Sequence, residues 1–321
     1  MTKRHLLMTG PMMRMVMEQL DAAFEVHRLW EAPDRDRLIT DVGDKVEAIA
    51  VGPHTPVDGP LMERLPNLRI VSNFGVGYDT VDAEWAGKHG IYVTNTPDVL
   101  TEEVADTTLG LILMTVRQFS ESERYLRAGR WEKEGPFPLT KASLRDRRVG
   151  IIGLGRIGKA IARRLDAFRV PVVYHGRSEQ AGVAYRYYPK LADMARDVDI
   201  LLSVAPGGPE THHLIDAEIL DALGPDGILI NVGRGSVVDE KALIEALKER
   251  RILSAGLDVF ENEPHVPAEL IGMEHVVLLP HVGSASIHTR NQMGQLVVDN
   301  LTTYFETGKP ITPVAETPLR D

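Results

Sequence analysis

Three residues in the second half of the chain are of types that do chemistry: Arg234 in "ILINVGRGSVVDE", Glu263 in "AGLDVFENEPHVP" and His281 in "HVVLLPHVGSAS". Each follows a short apolar run, and open α/β sheets bind ligands at the carboxyl ends of their strands. Together they suit the reduction of a carbonyl that neighbours a carboxylate. That reaction needs a cation for the carboxylate, a donor to protonate the carbonyl oxygen, and a group that keeps the donor charged and oriented. His281 is the best general acid among the 11 histidines, since it follows "VVLLP" and precedes a glycine–serine loop. The same group takes its proton back in the reverse oxidation. Arg234 suits the carboxylate, its competing use being an ion pair with Asp239 or Glu240. For the third role spacing leaves Glu263 and Glu261 both open. In the first half, "SNFGVGYDTVD" offers Gly75-Val76-Gly77, where consecutive backbone N–H groups can nest the same carboxylate. A plain strand-to-helix turn is the alternative there.

A second constellation concerns a cofactor. "VGIIGLGRIGKAIARRL" sets Gly153-Leu154-Gly155-Arg156-Ile157-Gly158 between an apolar run and a helical pattern. In a dinucleotide site the first glycine permits the tight turn, the second lets the pyrophosphate approach the backbone, and the third lets helix and strand pack closely. The phosphates then meet unpaired N–H groups at the start of the helix, which Arg156 and Ile157 open. Arg156 is a further phosphate candidate, or a surface residue. The hexapeptide alone is weak; the strand before it and the helix after it make it specific. An NAD site places Asp or Glu about 20 residues beyond the first glycine. "VVYHGRS" stands there instead, without an acid. A carboxylate would repel a 2′-phosphate, whereas Arg177 can fork around it and Ser178 can add a neutral hydrogen bond. The stretch predicts NADPH/NADP+ as cofactor, with NADH weaker.

Two alternations of strand and helix must position these groups. "HLLMTG", "VEAIAVG", "LRIVSNFG" and "IYVTNTP" read as buried parallel strands separated by helices. "TEEVADTTLGLILMTVRQFSESERYLRAGRW" reads as one long helical segment. Its centre, 109–116, is apolar on most faces, which predicts burial between domains or subunits. "RRVGIIGLG", "VPVVYH", "DILLSVA", "GILINVG", "SAGLDV" and "VVLLPH" then supply six strands, as in a doubly wound nucleotide-binding sheet. The final helix, "SIHTRNQMGQLVVDNLTTYFETG", is long enough to cross back to the first domain. The fold class expected is α/β, with two Rossmann-like domains of doubly wound parallel sheet, the nucleotide domain inserted into the substrate domain. The expected boundaries are 1–98 for the first part of the substrate domain, 99–287 for the nucleotide domain, and 288–321 for the return.

Composition narrows the function classes. A chain of 321 residues can hold two cores. A net charge of −10 without a basic tract argues against holding nucleic acid through many phosphates. No apolar run approaches the roughly 18 residues of a membrane span, and the start fits strand, turn and helix better than a leader. The cytoplasm is the expected compartment. With no cysteine there are no disulfides, thiolate metal sites or thiol nucleophiles. His212 and His213 are adjacent rather than on one helix face, so no metal is expected.

"NFGVGYDTVD", "VTNTPDVLTEEVADTTLGLIL", "GIIGLGRIGKAIA", "INVGRGSVVDE", "GLDVFENEP" and "LLPHVGSAS", in that order, cover nearly the whole chain. In these segments the chain resembles the D-isomer-specific 2-hydroxyacid dehydrogenases, and among them the NADPH-preferring glyoxylate and hydroxypyruvate reductases, including the hydroxyphenylpyruvate reductase-like branch. The resemblance implies a triad of Arg234, Glu263 and His281, which chooses Glu263 over Glu261. It implies substrate contacts from Val76 and Gly77 and a carboxamide contact from Asp258. Leu100, Thr108, Pro206, Val232 and Gly283 would line the substrate or cofactor path, and the long helix would join the domains and form a two-fold homodimer. Asp106 stands where many relatives carry Glu, which alters a supporting hydrogen bond and removes no catalytic group. The activity so implied is NADPH-dependent reduction of glyoxylate or hydroxypyruvate to glycolate or D-glycerate. The rivals are hydroxyphenylpyruvate or another 2-oxo acid and, from a different class, a nucleotide-sensing corepressor or scaffold on the same fold.

Overall fold

The computed structural model describes residues 3–52 and 55–319. It divides into two compact units, Met1–Leu100 with Ser286–Asp321, and Thr101–Ala285.

The first unit is built on a parallel sheet of β1 (Arg4–Met8), β2 (Phe24–Arg28), β3 (Val46–Val51), β4 (Ile70–Asn73) and β5 (Tyr92–Thr94), in the order β2-β1-β3-β4-β5. The central strands are apolar on both faces, and Leu6, Leu7, Ile49, Ala50 and Val71 are fully buried, as helices on both sides of a parallel sheet require. The sequence reading missed β2. It is an edge strand, "FEVHR", whose exposed positions carry the polar side chains that such edges use. The return segment completes this unit. The helix Ile287–Thr307 is capped by the Ser286 hydroxyl, which accepts from the Thr289 amide at 3.2 Å. Gly294 admits the neighbouring helix so closely that a Cβ there would lie 2.3 Å from Val16. Beyond the helix the tail runs beside β5, with the Val314 amide donating to the Val93 carbonyl at 2.9 Å.

The second unit holds a parallel sheet of seven strands. They are β6 (Val149–Ile152), β7 (Val172–His175), β8 (Arg186–Tyr188), β9 (Ile200–Ser203), β10 (Ile228–Asn231), β11 (Ser254–Leu257) and β12 (Val277–Leu278). The order is β12-β11-β10-β9-β6-β7-β8, so the direction of winding reverses between β6 and β9. Such a switch point opens a crevice at the carboxyl ends of the strands. The sequence reading had six of these strands. The additional one, β8, is a three-residue edge strand, "RYY", too short to show a period. Apolar cores lie on both faces of the sheet.

One expectation about the segment after Leu100 is corrected. It is not one helix but three, Thr101–Val116, Phe119–Arg127 and Arg130–Glu134, the first break falling at Gln118 with φ +50°. In the apolar centre of the first, Leu111, Ile112 and Val116 pack in one cluster with Ile151 and Ile230 of the sheet, while Leu109, Leu113 and Met114 are only partly buried against it. Arg164 fastens the glycine-loop helix Arg156–Ala167 to this one, pairing with Asp106 at 2.6 Å and Glu102 at 2.8 Å. Asp106 therefore does have a supporting role, through an arginine.

Candidate active site

The glycine loop separates two kinds of glycine. Gly153 has φ +91°, and a Cβ there would approach the Val204 carbonyl to 3.1 Å. At Gly158 a Cβ would lie 2.3 Å from the Gly153 carbonyl oxygen, so close helix–strand packing needs glycine. At Gly155 a Cβ would meet nothing within 4 Å. Gly155 is the N-cap of the helix Arg156–Ala167 and has no side chain with which to cap the first amides. Arg156 is exposed and Ile157 half-buried at this helix start.

β7 ends beside this loop. Ile152 pairs with His175, and the Gly153 amide donates to the His175 carbonyl at 3.0 Å. Arg177 and Ser178, two and three residues on, are exposed, and the Arg177 side chain has no partner among the described residues. The loop that carries them is tied down by Gln180. Its amide donates to the buried Tyr174 hydroxyl at 2.8 Å, and its Nε2 donates to the Leu154 carbonyl at 2.9 Å. Sequence reasoning missed Gln180, because its partner Leu154 is 26 residues away and nothing local marks the pairing.

Glu263 and His281 meet on the loops after β11 and β12. Glu263 Oε2 lies 2.7 Å from His281 Nδ1, and its Oε1 accepts from the Phe260 amide at 3.0 Å. Only 18% of the Glu263 side chain is exposed, so the pair is shielded better than a surface ion pair. Glu261, the other acid left open by spacing, turns to His213 Nε2 at 2.7 Å. With Nδ1 engaged by the carboxylate, a proton exchanged with a ligand would pass through Nε2.

His281 is held in the left-handed region at φ +52°, a conformation that costs a non-glycine residue about 1–3 kcal/mol and needs support. Asp258 gives that support. Its carbonyl accepts from the His281 amide at 2.8 Å, and its carboxylate accepts from the Val282 and Gly283 amides at 2.7 and 2.9 Å. Burial pushes the Asp258 carboxyl above its usual range, and the two amides work against that by favouring the charged form. A Cβ at Gly283 would sit 3.0 Å from the Asp258 carboxylate, and the Thr107 hydroxyl donates to the Gly283 carbonyl at 3.2 Å.

Arg234 opens the short 3₁₀ turn Gly235–Val237 and is half-buried. Its Nη1 donates to the Gly233 carbonyl at 2.9 Å. Asn231, the last residue of β10, frames this turn: its Oδ1 accepts from the Gly233 amide at 3.1 Å and its Nδ2 donates to the Arg234 carbonyl at 2.9 Å. Sequence reasoning passed over Asn231, although an Asn two residues before a glycine carries a turn signal. A Cβ at Gly235 would lie 1.9 Å from the Phe260 backbone, so the Arg234 loop rests directly on the loop that carries Glu263.

Of the remaining expected contacts, Thr108 is fully buried and its hydroxyl donates to the Val104 carbonyl at 2.6 Å. Pro206 is exposed, and its carbonyl accepts from the Thr211 hydroxyl at 2.7 Å. The Val232 amide donates to the Ser203 carbonyl at 3.1 Å. Val76, Gly77 and Leu100 belong to the first unit, where Leu100 is buried. The amides of Val76 and Gly77 donate to no group among the described residues. Among those residues His212, His213 and Glu261 also form a surface group whose donor atoms lie within 4.8 Å of one another. No helix among the described residues is long and apolar enough to cross a membrane.

A carboxylate-supported histidine and a half-buried arginine thus sit at the carboxyl edge of a sheet whose glycine loop has open space over Gly155. The family model for the NAD binding domain of D-isomer specific 2-hydroxyacid dehydrogenases matches residues 109–283. The chain belongs to that family. It is 48% identical over 308 residues to glyoxylate/hydroxypyruvate reductase A of Arabidopsis thaliana, covering 96% of this chain and 98% of that one. It is 47% identical over 309 residues to hydroxyphenylpyruvate reductase of Plectranthus scutellarioides, with coverage of 96% and 98%. Among solved structures, the NADPH-dependent glyoxylate/hydroxypyruvate reductase of Sinorhizobium meliloti, in complex with NADP and malonate, is similar with a TM-score of 0.95 and 52% identity. That match covers 100% of this chain and 99% of the other.

Proposed function

We propose that this chain is an NADPH-dependent reductase of a small 2-oxo acid, glyoxylate or hydroxypyruvate, giving glycolate or D-glycerate. The observation that carries the reading is the Glu263–His281 pair at 2.7 Å, its loop pinned by Asp258, in a chain about half identical to reductases of those acids.

The residues present fit the cofactor. The empty space over Gly155, the amides at the start of the following helix and the exposed Arg177, which has no partner among the described residues, suit a dinucleotide with a 2′-phosphate. Gly153, Gly155, Arg156, Ile157, Gly158, Arg177 and Ser178 would hold it, with Thr108, Pro206, Val232, Asp258 and Gly283 along its path. NADPH, when bound, supplies the hydride that goes to C2 of the oxo acid. His281 delivers a proton from Nε2 to the carbonyl oxygen, and Glu263 fixes the tautomer and balances the imidazolium charge. Arg234 holds the substrate carboxylate as a fork. Val76, Gly77 and Leu100 are assigned as further substrate contacts.

The homodimer is proposed through the helical segment after Leu100. The support is its exposed apolar side chains, with Phe119 nearly half exposed and Leu126 and Trp131 more than half exposed. The compartment proposed is the cytoplasm. A larger 2-oxo acid is the second reading, favoured by the 47% identity to a hydroxyphenylpyruvate reductase. The reading is tested by following NADPH consumption with glyoxylate. His281→Gln should lose about 10²–10⁴ of the rate while NADPH still binds. Near-normal turnover in that variant removes His281 from the mechanism.

A further inference from the structure

We infer that Asn73 and Asn95 are positioning residues that aim the Val76 and Gly77 amides at the substrate carboxylate. Asn95 in turn is set by a hydrogen-bond relay from the return segment, Asn300–Thr312–Asn95. The inference rests on the substrate reading above and adds how the anion nest is built.

Three successive carbonyls in the loop after β4 are each engaged. Gly75 oxygen accepts from the Thr96 amide at 2.9 Å and from Asn73 Nδ2 at 3.3 Å. Val76 oxygen accepts from Asn95 Nδ2 at 2.8 Å. Gly77 oxygen accepts from Asn73 Nδ2 at 3.0 Å. Asn73 is itself buried, so its side chain cannot swing away into water. A peptide's N–H points opposite its C=O. Fixing these carbonyls therefore fixes the directions of the intervening amides, and the Val76 and Gly77 amides donate to no group among the described residues. Gly75, at φ +150°, supplies the turn that brings the pair out. Two consecutive unspent amides on a rigid turn make a concave anion site.

Asn95 is anchored from the far end of the chain. The Thr312 hydroxyl donates to the Asn95 carbonyl at 2.6 Å, and the Asn95 amide donates to the Thr312 carbonyl at 3.3 Å. That hydroxyl accepts from Nδ2 of the fully buried Asn300, at 2.9 Å. Asn300 Oδ1 accepts from the Ile311 and Thr312 amides at 3.0 and 2.9 Å, which fixes the tail where it passes β5. The helix that returns after the nucleotide unit thus has a task beyond covering the sheet. It sets the donor that orients the substrate loop.

The experiment compares wild type, Asn95→Asp and Thr312→Val. Aspartate keeps the size of Asn95 but cannot donate to the Val76 carbonyl at neutral pH. Valine keeps the shape of Thr312 without the hydroxyl, and it carries the test if the aspartate variant does not fold. Glyoxylate KM should rise about tenfold in Asn95→Asp, equivalent to about 1.4 kcal/mol, and by a smaller factor in Thr312→Val. kcat should fall less than KM rises, and NADPH Kd should not change, which general loosening of the fold would not reproduce. Wild-type KM in the folded variants, or equal losses of glyoxylate and NADPH binding, overturns the positioning role. A wild type that reduces no 2-oxo acid overturns the functional reading instead, and this inference with it.

Discussion

Alanine at Gly155 and at Gly158, three residues apart in one loop, should have opposite consequences. At Gly155 the backbone is extended, at φ −77° and ψ −159°, a region alanine enters freely. A new Cβ there meets no protein atom within 4 Å, so packing gives no penalty. The loss of unfolded-chain entropy favours alanine by about 0.4–1 kcal/mol. The poorer N-cap opposes it by a similar amount. The net change in stability should lie within about 1 kcal/mol, a Tm shift of roughly 2–4 °C or less. The methyl would, however, occupy the place through which the pyrophosphate is proposed to reach the backbone. Loss of one charge-assisted hydrogen bond is worth about 1.5–3 kcal/mol, or roughly 10- to 150-fold in NADPH affinity. At Gly158 the Cβ lies 2.3 Å from the Gly153 oxygen, and relieving that clash by moving helix or strand costs about 1–3 kcal/mol of overpacking. Thermal melts and cofactor titration on the two variants read both effects. If Gly155→Ala binds NADPH like wild type, the loop is not a phosphate site; if it melts as early as Gly158→Ala, glycine at 155 serves the fold instead of a ligand.

Arg177→Ala should weaken NADPH about tenfold at low salt, the low end for an exposed charge-assisted contact, and leave NADH nearly unchanged; the ratio of the two KM values checks it, and equal effects would remove Arg177 from the 2′-phosphate. Glu263→Gln keeps the shape of the His281 partner without its charge and should lower kcat about 10²-fold, whereas Glu261→Gln, which touches His213, should stay within about twofold of wild type. Stability should fall in weak acid. Burial holds His27 and His275 below the ordinary value of 6.5, helped at His27 by the nearby His5 and at His275 by Arg250. The unfolded chain therefore takes up protons first, and stability is lost as pH falls below about 6.5 and through the lower folded-state values of these histidines. Thermal melts from about pH 7.5 to about pH 5.5 should show a smaller decline for His27→Gln than for wild type.

How much could be read beforehand follows from how local each signal is. The glycine loop and the strands that flank it carry fixed spacings of type and period, and the structure gives them the places their physics demands, down to the difference between Gly155 and Gly158. Arg234, Glu263 and His281 were legible as residues after apolar strands. Spacing could not choose between Glu263 and Glu261, because they stand two positions apart in one turn and only the turn decides which acid faces His281. Edge strands such as β2 and β8 escaped because they are short and partly polar. The break at Gln118 escaped because helical propensity continues across it. The supports escaped for a different reason. Gln180 to Leu154, Asn95 to Val76 and Thr312 to Asn95 link residues far apart in the chain, and no periodicity records such a pairing.

The most direct test of the account is a comparison of kcat/KM with NADPH across glyoxylate, hydroxypyruvate, pyruvate, 2-oxoisocaproate, phenylpyruvate and hydroxyphenylpyruvate. The account predicts that glyoxylate or hydroxypyruvate is reduced most efficiently. An advantage of tenfold or more for an aromatic acid, about 1.4 kcal/mol in transition-state binding, would contradict the small-substrate assignment, and no NADPH-dependent turnover of any of the six would contradict the reductase itself.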